Sequence, residues 1–219
     1  MSKAKRNTVI AVVCTVLVVA LLGSLVAYSS LVTSGYFLRN TVVATTENYA
    51  ADNAVFSYFF HKYYQEFNST YGYYFPINAN VSLKGQACSL YNDGSTWFDF
   101  FAANAKSTLS NTLAFCEEAK ARGIALTEED YEDIDNAIAS IKVAAKQAGV
   151  TVSYYTHAMF GSGVNQKDLR RALELSVLAS KCNQAIIESY NYTEADFNKY
   201  IEENPSALLY AEYAAFDMK

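Results

Sequence analysis

Proline is nearly absent from this sequence, with two residues in 219, and glycine is sparse at nine. That scarcity argues against a turn-rich sandwich and suits long helices. Histidine is equally rare. His61 and His157 are the only two, and neither has a His or Cys partner at metal-ligand spacing, so structural roles are expected for both. No acid stands among the first thirty positions, where Lys3, Lys5 and Arg6 are the only charges. The rest of the chain therefore sets 14 of the 17 basic side chains against all 22 acids. Phosphate binding needs clustered cations, so nucleic acid is not an expected partner. What the sequence has in abundance is aromatic: 18 Tyr, 13 Phe and one Trp.

The first long apolar run is MSKAKRNTVIAVVCTVLVVALLGSLVAY. Its 21 residues from Thr8 to Tyr28 carry no charge. At ~1.5 Å per residue they span roughly 30 Å, the hydrocarbon thickness of a bilayer. Cations before the run and none directly after it place the N-terminus in the cytoplasm and the remainder outside. A cleaved signal peptide is the competing reading, with Ala27-Tyr28-Ser29 as a small-x-small site. The run is long for a signal core, which favours an uncleaved, single-pass anchor in the cell membrane through residues 8–28. Val13 before Cys14 is too large for a lipidation site, so Cys14 reads as membrane-facing. Cys88, Cys116 and Cys182 match no metal spacing. They leave open one disulfide with a leftover thiol, or burial as thiols. Asn68, Asn80 and Asn191 fit the glycosylation acceptor pattern.

Beyond the anchor, Ser29 to Arg39 reads as a juxtamembrane connection and the β-branched Thr41 to Thr46 as a short strand. AADNAVFSYFFHKYYQEFNSTYG carries Phe56, Phe59 or Phe60, Tyr63 and Phe67 at helical spacing, capped by Asp52 or Asn53. Tyr71 to Ser95, punctuated by Pro76, Gly85 and Gly94, reads as a long ordered loop. Ser95 is the expected cap of a helix through Trp97, Phe98, Phe101, Leu109, Leu113 and Cys116. In EEAKARGIALTEEDYEDI that helix stops at Gly123, with Ile124 as the apolar residue after a left-handed cap. Thr127 then restarts the chain with T-E-E-D, a relative of the capping box. Tyr131, Ile134, Ile138, Ile141 and Ala145 form its expected buried stripe. Two helices joined in this way are expected to pack side by side. Further helices follow at Val152 to Phe160, Gln166 to Tyr190, and after the T-x-x-D start at Thr193, which Asn204-Pro205 ends. ALLYAEYAAFDM reads as extended.

The succession EEAKARGIALTEEDYEDIDNAI, GVTVSYYTHAMFGSGVNQKDLRRALELSVLASKCNQAI and YTEADFNKYIEENPSAL resembles the N-terminal chaperone region of SurA- and PrsA-type foldases. That helical module is shared with trigger factor. Each motif is little more than helix punctuation, and it is their order from about Tyr49 to Leu208 that carries the likeness. An Asn-Gly turn common in the family is replaced here by Glu47-Asn48-Tyr49-Ala50. The resemblance implies a mainly α fold with a short N-terminal strand. Together with the anchor read above, it gives four regions: a basic tip and anchor (1–30), a connection and strand (31–48), a helical chaperone-like domain (49–204) and an extended segment (205–219). In the family a parvulin-type peptidyl-prolyl isomerase domain follows, and LLYAEYAAF looks like its first strand. Such a domain needs on the order of a hundred residues. A piece of a longer protein and a chain that has lost the domain both remain open.

No catalytic constellation is legible. Glu117-Glu118, Glu128-Glu129-Asp130 and Glu132-Asp133-Asp135 fall at helix ends or on polar faces, where solvation and the helix dipole explain them. Gly161-Ser-Gly163 lacks the G-x-S-x-G of a nucleophile elbow. Arg170-Arg171 is too small a patch for nucleic acid. No cofactor or metal is expected. The expected partners are unfolded or newly exported polypeptides, gripped by aromatics that the fold does not consume. The candidates are Tyr58, Tyr64, Tyr71, Tyr73, Tyr74, Phe75, Trp97, Tyr154 and Tyr155, since Tyr couples an apolar body to a polar tip. Two alternatives stand beside this: the front of a membrane-bound isomerase, and a non-catalytic scaffold for one dedicated partner.

Overall fold

In the computed structural model, which describes residues 3–190 and 193–205 and side chains from residue 15 onward, the chain divides into two compact units, Met1–Lys181 and Cys182–Lys219. The first begins with α1 (Lys3–Thr33), a helix longer than the charge-free run alone suggested. Its stretch Thr15–Thr33 has a mean hydropathy of 2.2 and no residue buried against the rest of the protein, so by length and composition it can cross a membrane. Serine and threonine hydroxyls at its end donate back to carbonyls one turn earlier, as Thr33 does to Ser29 at 2.8 Å. The helix ends at Gly35, whose φ of 75° is left-handed. A Cβ there would strike the Gly163 carbonyl, so the position needs glycine for its conformation and for the close approach. The connection read as residues 29–39 is thus the last helical turn of α1 followed by the short α2 (Tyr36–Arg39).

The expected strand is β1 (Val42–Thr45). Ala50–Asp52, read only as the lead-in to a helix, forms a second strand, β2. The two pair antiparallel, with Ala44 opposite Ala51, Thr45 opposite Ala50 and an irregularity between Val42 and Ala44. Asp52 then caps α3 (Asn53–Tyr71), its Oδ1 accepting from the N–H groups of Ala54 at 3.1 Å and Val55 at 3.0 Å. Its Oδ2 accepts from Arg171 at 2.7 Å.

The loop after α3 is ordered, as expected, by Gln86. That side-chain amide donates to the carbonyls of Asn78 at 3.0 Å and Val81 at 2.7 Å, and its oxygen accepts from the Asn78 N–H at 2.9 Å. Ser95 does not cap the next helix. Its carbonyl accepts from the Cys88 N–H at 2.8 Å in a short extended pairing, and the cap moves to Thr96, which forms a reciprocal box with Asp99 at the start of α4 (Trp97–Ala121).

Gly123 stops α4 in a Schellman arrangement. Its own N–H donates to Lys120 and the Ile124 N–H donates to Ala119 at 2.8 Å. Thr127 and Asp130 close the expected capping box of α5 (Glu128–Gln147). The closest helix packing is not between α4 and α5, the two expected side by side. The principal packing partner of α4 is α3, and that of α5 is α6 (Val152–Phe160). Aromatic side chains explain the first choice. Phe67 of α3 lies within 5.5 Å, ring centre to ring centre, of Trp97, Phe100 and Phe101 of α4. The α3–α6 contact is fixed by two hydrogen bonds to the end of α6, from Ser57 to the Phe160 carbonyl at 2.6 Å and from Gln65 to the Met159 carbonyl at 2.7 Å.

Asn165 starts α7 (Gln166–Ser189), its side chain accepting from the Lys167 and Asp168 N–H groups. Asp168 is almost wholly buried and takes Arg39 in a two-pronged pair, Nε at 2.9 Å and Nη2 at 2.8 Å. Arg39 also donates to the Gly163 carbonyl at 2.9 Å, which joins α2 to the start of α7.

The second unit holds the end of α7 and α8 (Glu194–Glu203), which opens with the expected Thr193–Asp196 capping box. Cys88, Cys116 and Cys182 are all buried as thiols, and the Cys116 thiol donates to the Leu175 carbonyl at 3.4 Å. The extended segment read at Ala207 to Met218, the Cys14 side chain and Asn191 lie outside the described residues.

Candidate functional site

The nine aromatic candidates do not form one surface. Tyr58 and Trp97 are core residues: Tyr58 stacks on Phe160 and Trp97 on Phe101. Neither ring is open to solvent in this state. The error for Tyr58 lay in the stripe, because α3 buries Ala54, Val55, Tyr58, Phe59, Phe60 and Phe67 and so turns a broader face inward than Phe56–Tyr63–Phe67 suggested. Tyr64 and Phe75 are half-buried, Tyr64 edge-on to Phe101 and Phe75 beside Phe67. Tyr155 is half-buried and Tyr154 exposed on α6. Tyr71, Tyr73 and Tyr74 are exposed. Tyr73 is 91% accessible, and its ring meets that of Tyr74 edge-on at 5.3 Å.

A different feature has the shape of a binding site. At the corner between α4 and α5 an open groove of about 660 Å³ is lined by Tyr49, Ile124, Ala125, Leu126, Leu175 and Leu178, with Lys120, Arg171 and Glu174 as its charged members. That volume lies within the ~300–1,000 Å³ typical of ligand clefts. Two of its walls are non-helical backbone, Asn48–Ala50 and Gly123–Leu126. Helix α7 supplies the third. Tyr131, expected inside, is exposed and stands at this groove instead.

The groove is held by hydrogen bonds around its rim. Glu117 of α4 accepts from the Asn48 backbone N–H at 2.6 Å and from its side-chain amide at 2.7 Å, and Lys120 reaches the Asn48 amide oxygen. Hydrogen bonds from Thr46 and Asn48 hold the Glu117 carboxyl down at about 2. Beyond the groove's lining, Lys181 of α7 donates to Asp130 at the start of α5 at 2.5 Å. This ion pair, with the Thr127 cap, holds the Asp130 carboxyl at about 2. Both acids are therefore anionic at neutral pH and serve as hydrogen-bond acceptors that fasten neighbouring segments.

Among the described residues no cluster of His, Cys, Asp or Glu has the makings of a metal site. His61 lies against the α3–α6 junction, and burial pulls its pKa below the ordinary value, which favours a neutral ring. The groove escapes a reading of the sequence that follows each helix to its ends and takes the four residues between them only as punctuation. The signal is present in Gly123-Ile-Ala-Leu-Thr127, an apolar connection where a polar one is usual.

No protein-family model, curated protein or solved structure matches this chain.

Proposed function

We propose that this protein is a membrane-anchored, extracytoplasmic polypeptide-binding protein of the chaperone kind. It holds extended segments of unfolded or newly exported chains in the α4–α5 groove without a covalent step. The observation that carries this reading is the groove itself, an apolar trough walled by two stretches of non-helical backbone. Apolar walls reward burial of client side chains at ~25 cal/mol per Å², independent of sequence. Rim charges of both signs, Lys120, Arg171 and Glu174, avoid selecting for one client charge. The exposed Tyr71, Tyr73 and Tyr74 add a second adaptable surface.

The order of helices resembling SurA- and PrsA-type foldases agrees with this function. An α1 whose stretch Thr15–Thr33 is long and apolar enough to cross a bilayer, with Lys3, Lys5 and Arg6 at its start and no cation directly after its charge-free run, supports an anchor with the domain outside. The test is a peptide array spanning several unrelated unfolded proteins, probed with the full chain in nanodiscs. Binding to many apolar, extended peptides is expected, with weaker binding by Ala125→Trp, which fills the groove from an exposed position. Recognition of one folded partner alone would replace this reading with that of a dedicated scaffold.

A further inference from the structure

The exit of α1 carries a group of aromatic side chains that the polypeptide-binding reading does not use. Tyr28, Tyr36 and Phe37 are all exposed. The Phe37 ring nevertheless lies 5.9 Å from that of Tyr28 and 5.6 Å from that of Tyr36. The chain thus turns at Gly35 and folds back, so that α2 sets an aromatic ring beside α1 about a turn and a half before the helix ends. Leu31 and Val32 are exposed on the same terminal turns. Residues Thr8 to Tyr28 already fill roughly 30 Å at ~1.5 Å per residue, which places Tyr28 at the edge of the hydrocarbon and Phe37 level with it. Tyr and Trp collect at that depth because their rings are apolar and their polar atoms reach water.

Arg39, two residues beyond Phe37, points into the domain. It holds the buried Asp168 carboxylate and the Gly163 carbonyl. Gly163 in turn packs so closely on Gly35 that neither has room for a side chain. The segment that carries Tyr36 and Phe37 is therefore tied to the domain at both ends, by Gly35 and by Arg39.

We propose that Tyr28, Tyr36 and Phe37 form a collar seated in the lipid headgroup layer, and that the Arg39–Asp168 clamp makes the domain stand on the membrane surface in one orientation. Lipid is the occupant because the exposed apolar side chains of α1, Leu25 and Val26 before Tyr28 and Leu31 and Val32 after it, flank the collar. The inference rests on α1 spanning a bilayer.

The test reconstitutes the full chain carrying Phe37→Trp in phosphatidylcholine vesicles. Lipids brominated near the headgroup or deep in the acyl chain serve as quenchers. Trp97, buried in the core, gives a constant background, and Tyr73→Trp is the water-exposed control. Three results are expected of Phe37→Trp: flotation with the vesicles, a blue-shifted emission from the introduced indole, and stronger quenching by shallow than by deep bromines. Tyr73→Trp should show no quenching of its introduced indole. Flotation of Phe37→Trp without quenching overturns the collar and leaves the anchor standing. A blue shift in Phe37→Trp that disappears on dilution in lipid assigns the collar to a second copy instead. Failure to float overturns the anchor and the collar together. Transfer from native Trp97 to a headgroup-bound acceptor reads the clamp. It should fall in Arg39→Ala at unchanged circular dichroism, and equal transfer would overturn the fixed orientation.

Discussion

Glu117 grips Asn48 with both carboxylate oxygens, one on the backbone N–H at 2.6 Å and the other on the side-chain amide at 2.7 Å. The contact ties the turn between β1 and β2 to α4, 69 residues further along the chain. Asn48 lines the groove, so the contact fixes one of its walls to α4, while Lys181 and Asp130 tie α7 to the start of α5.

Acid should loosen both fasteners. Glu117 and Asp130 are held at about 2, below ordinary carboxyl values of about 4.3 and 3.9. A carboxyl depressed in the folded state adds stability above its unfolded pKa, and that stability is lost as pH falls through the folded pKa. Denaturant midpoints of the full chain in micelles should therefore drop between about pH 4.5 and 2. Glu117→Gln and Asp130→Asn should each start lower at pH 7 and flatten that drop. A variant as steep as the parent would show that the acid-labile groups lie elsewhere.

The Arg39–Asp168 pair should matter more than a surface ion pair, because the Asp168 side chain is only 2% accessible. Asp168→Ala leaves Arg39 without its partner and removes an N-terminal contact of α7. Because Arg39 stays partly exposed and keeps the Gly163 carbonyl, the expected loss is about 1–3 kcal/mol. Chemical denaturation is the measurement. A loss below about 1 kcal/mol would place the pair with solvent-exposed ones.

The aromatic residues should separate by burial rather than by type. Phe101, fully buried between α3 and α4, should cost about 3–5 kcal/mol on change to Ala. Tyr73→Ser and Tyr74→Ser should stay within about 0.5 kcal/mol of the parent. Thermal or denaturant unfolding of the three variants distinguishes core from surface directly.

These contrasts also show what a reader of the sequence could see. Caps were legible because they are local: Thr127 with Asp130 and Thr193 with Asp196 carry their own geometry within four residues. The cap of α4 was off by one because Ser95 is drawn into pairing with Cys88, seven residues back. Strand β2 went unread because Ala50-Ala51-Asp52 has no strand propensity of its own and exists by pairing with β1. Tyr58, Trp97 and Tyr131 fell on the wrong side because a helix's burial depends on which neighbour it meets. Here α3 took the aromatic face of α4, and α5 went to α6. The groove's one local trace is the apolar connection Gly123-Ile-Ala-Leu-Thr127, and its other walls, Asn48–Ala50 and α7, come from distant parts of the chain.

The most direct measurement is fluorescence anisotropy of a labelled, permanently unfolded protein titrated with the full chain in nanodiscs, comparing the parent with Ala125→Trp. Binding by the parent and at least about tenfold weaker binding by Ala125→Trp, about 1.4 kcal/mol, is the predicted result. Equal affinity for the two, or no binding by the parent, would contradict a polypeptide site at the α4–α5 corner.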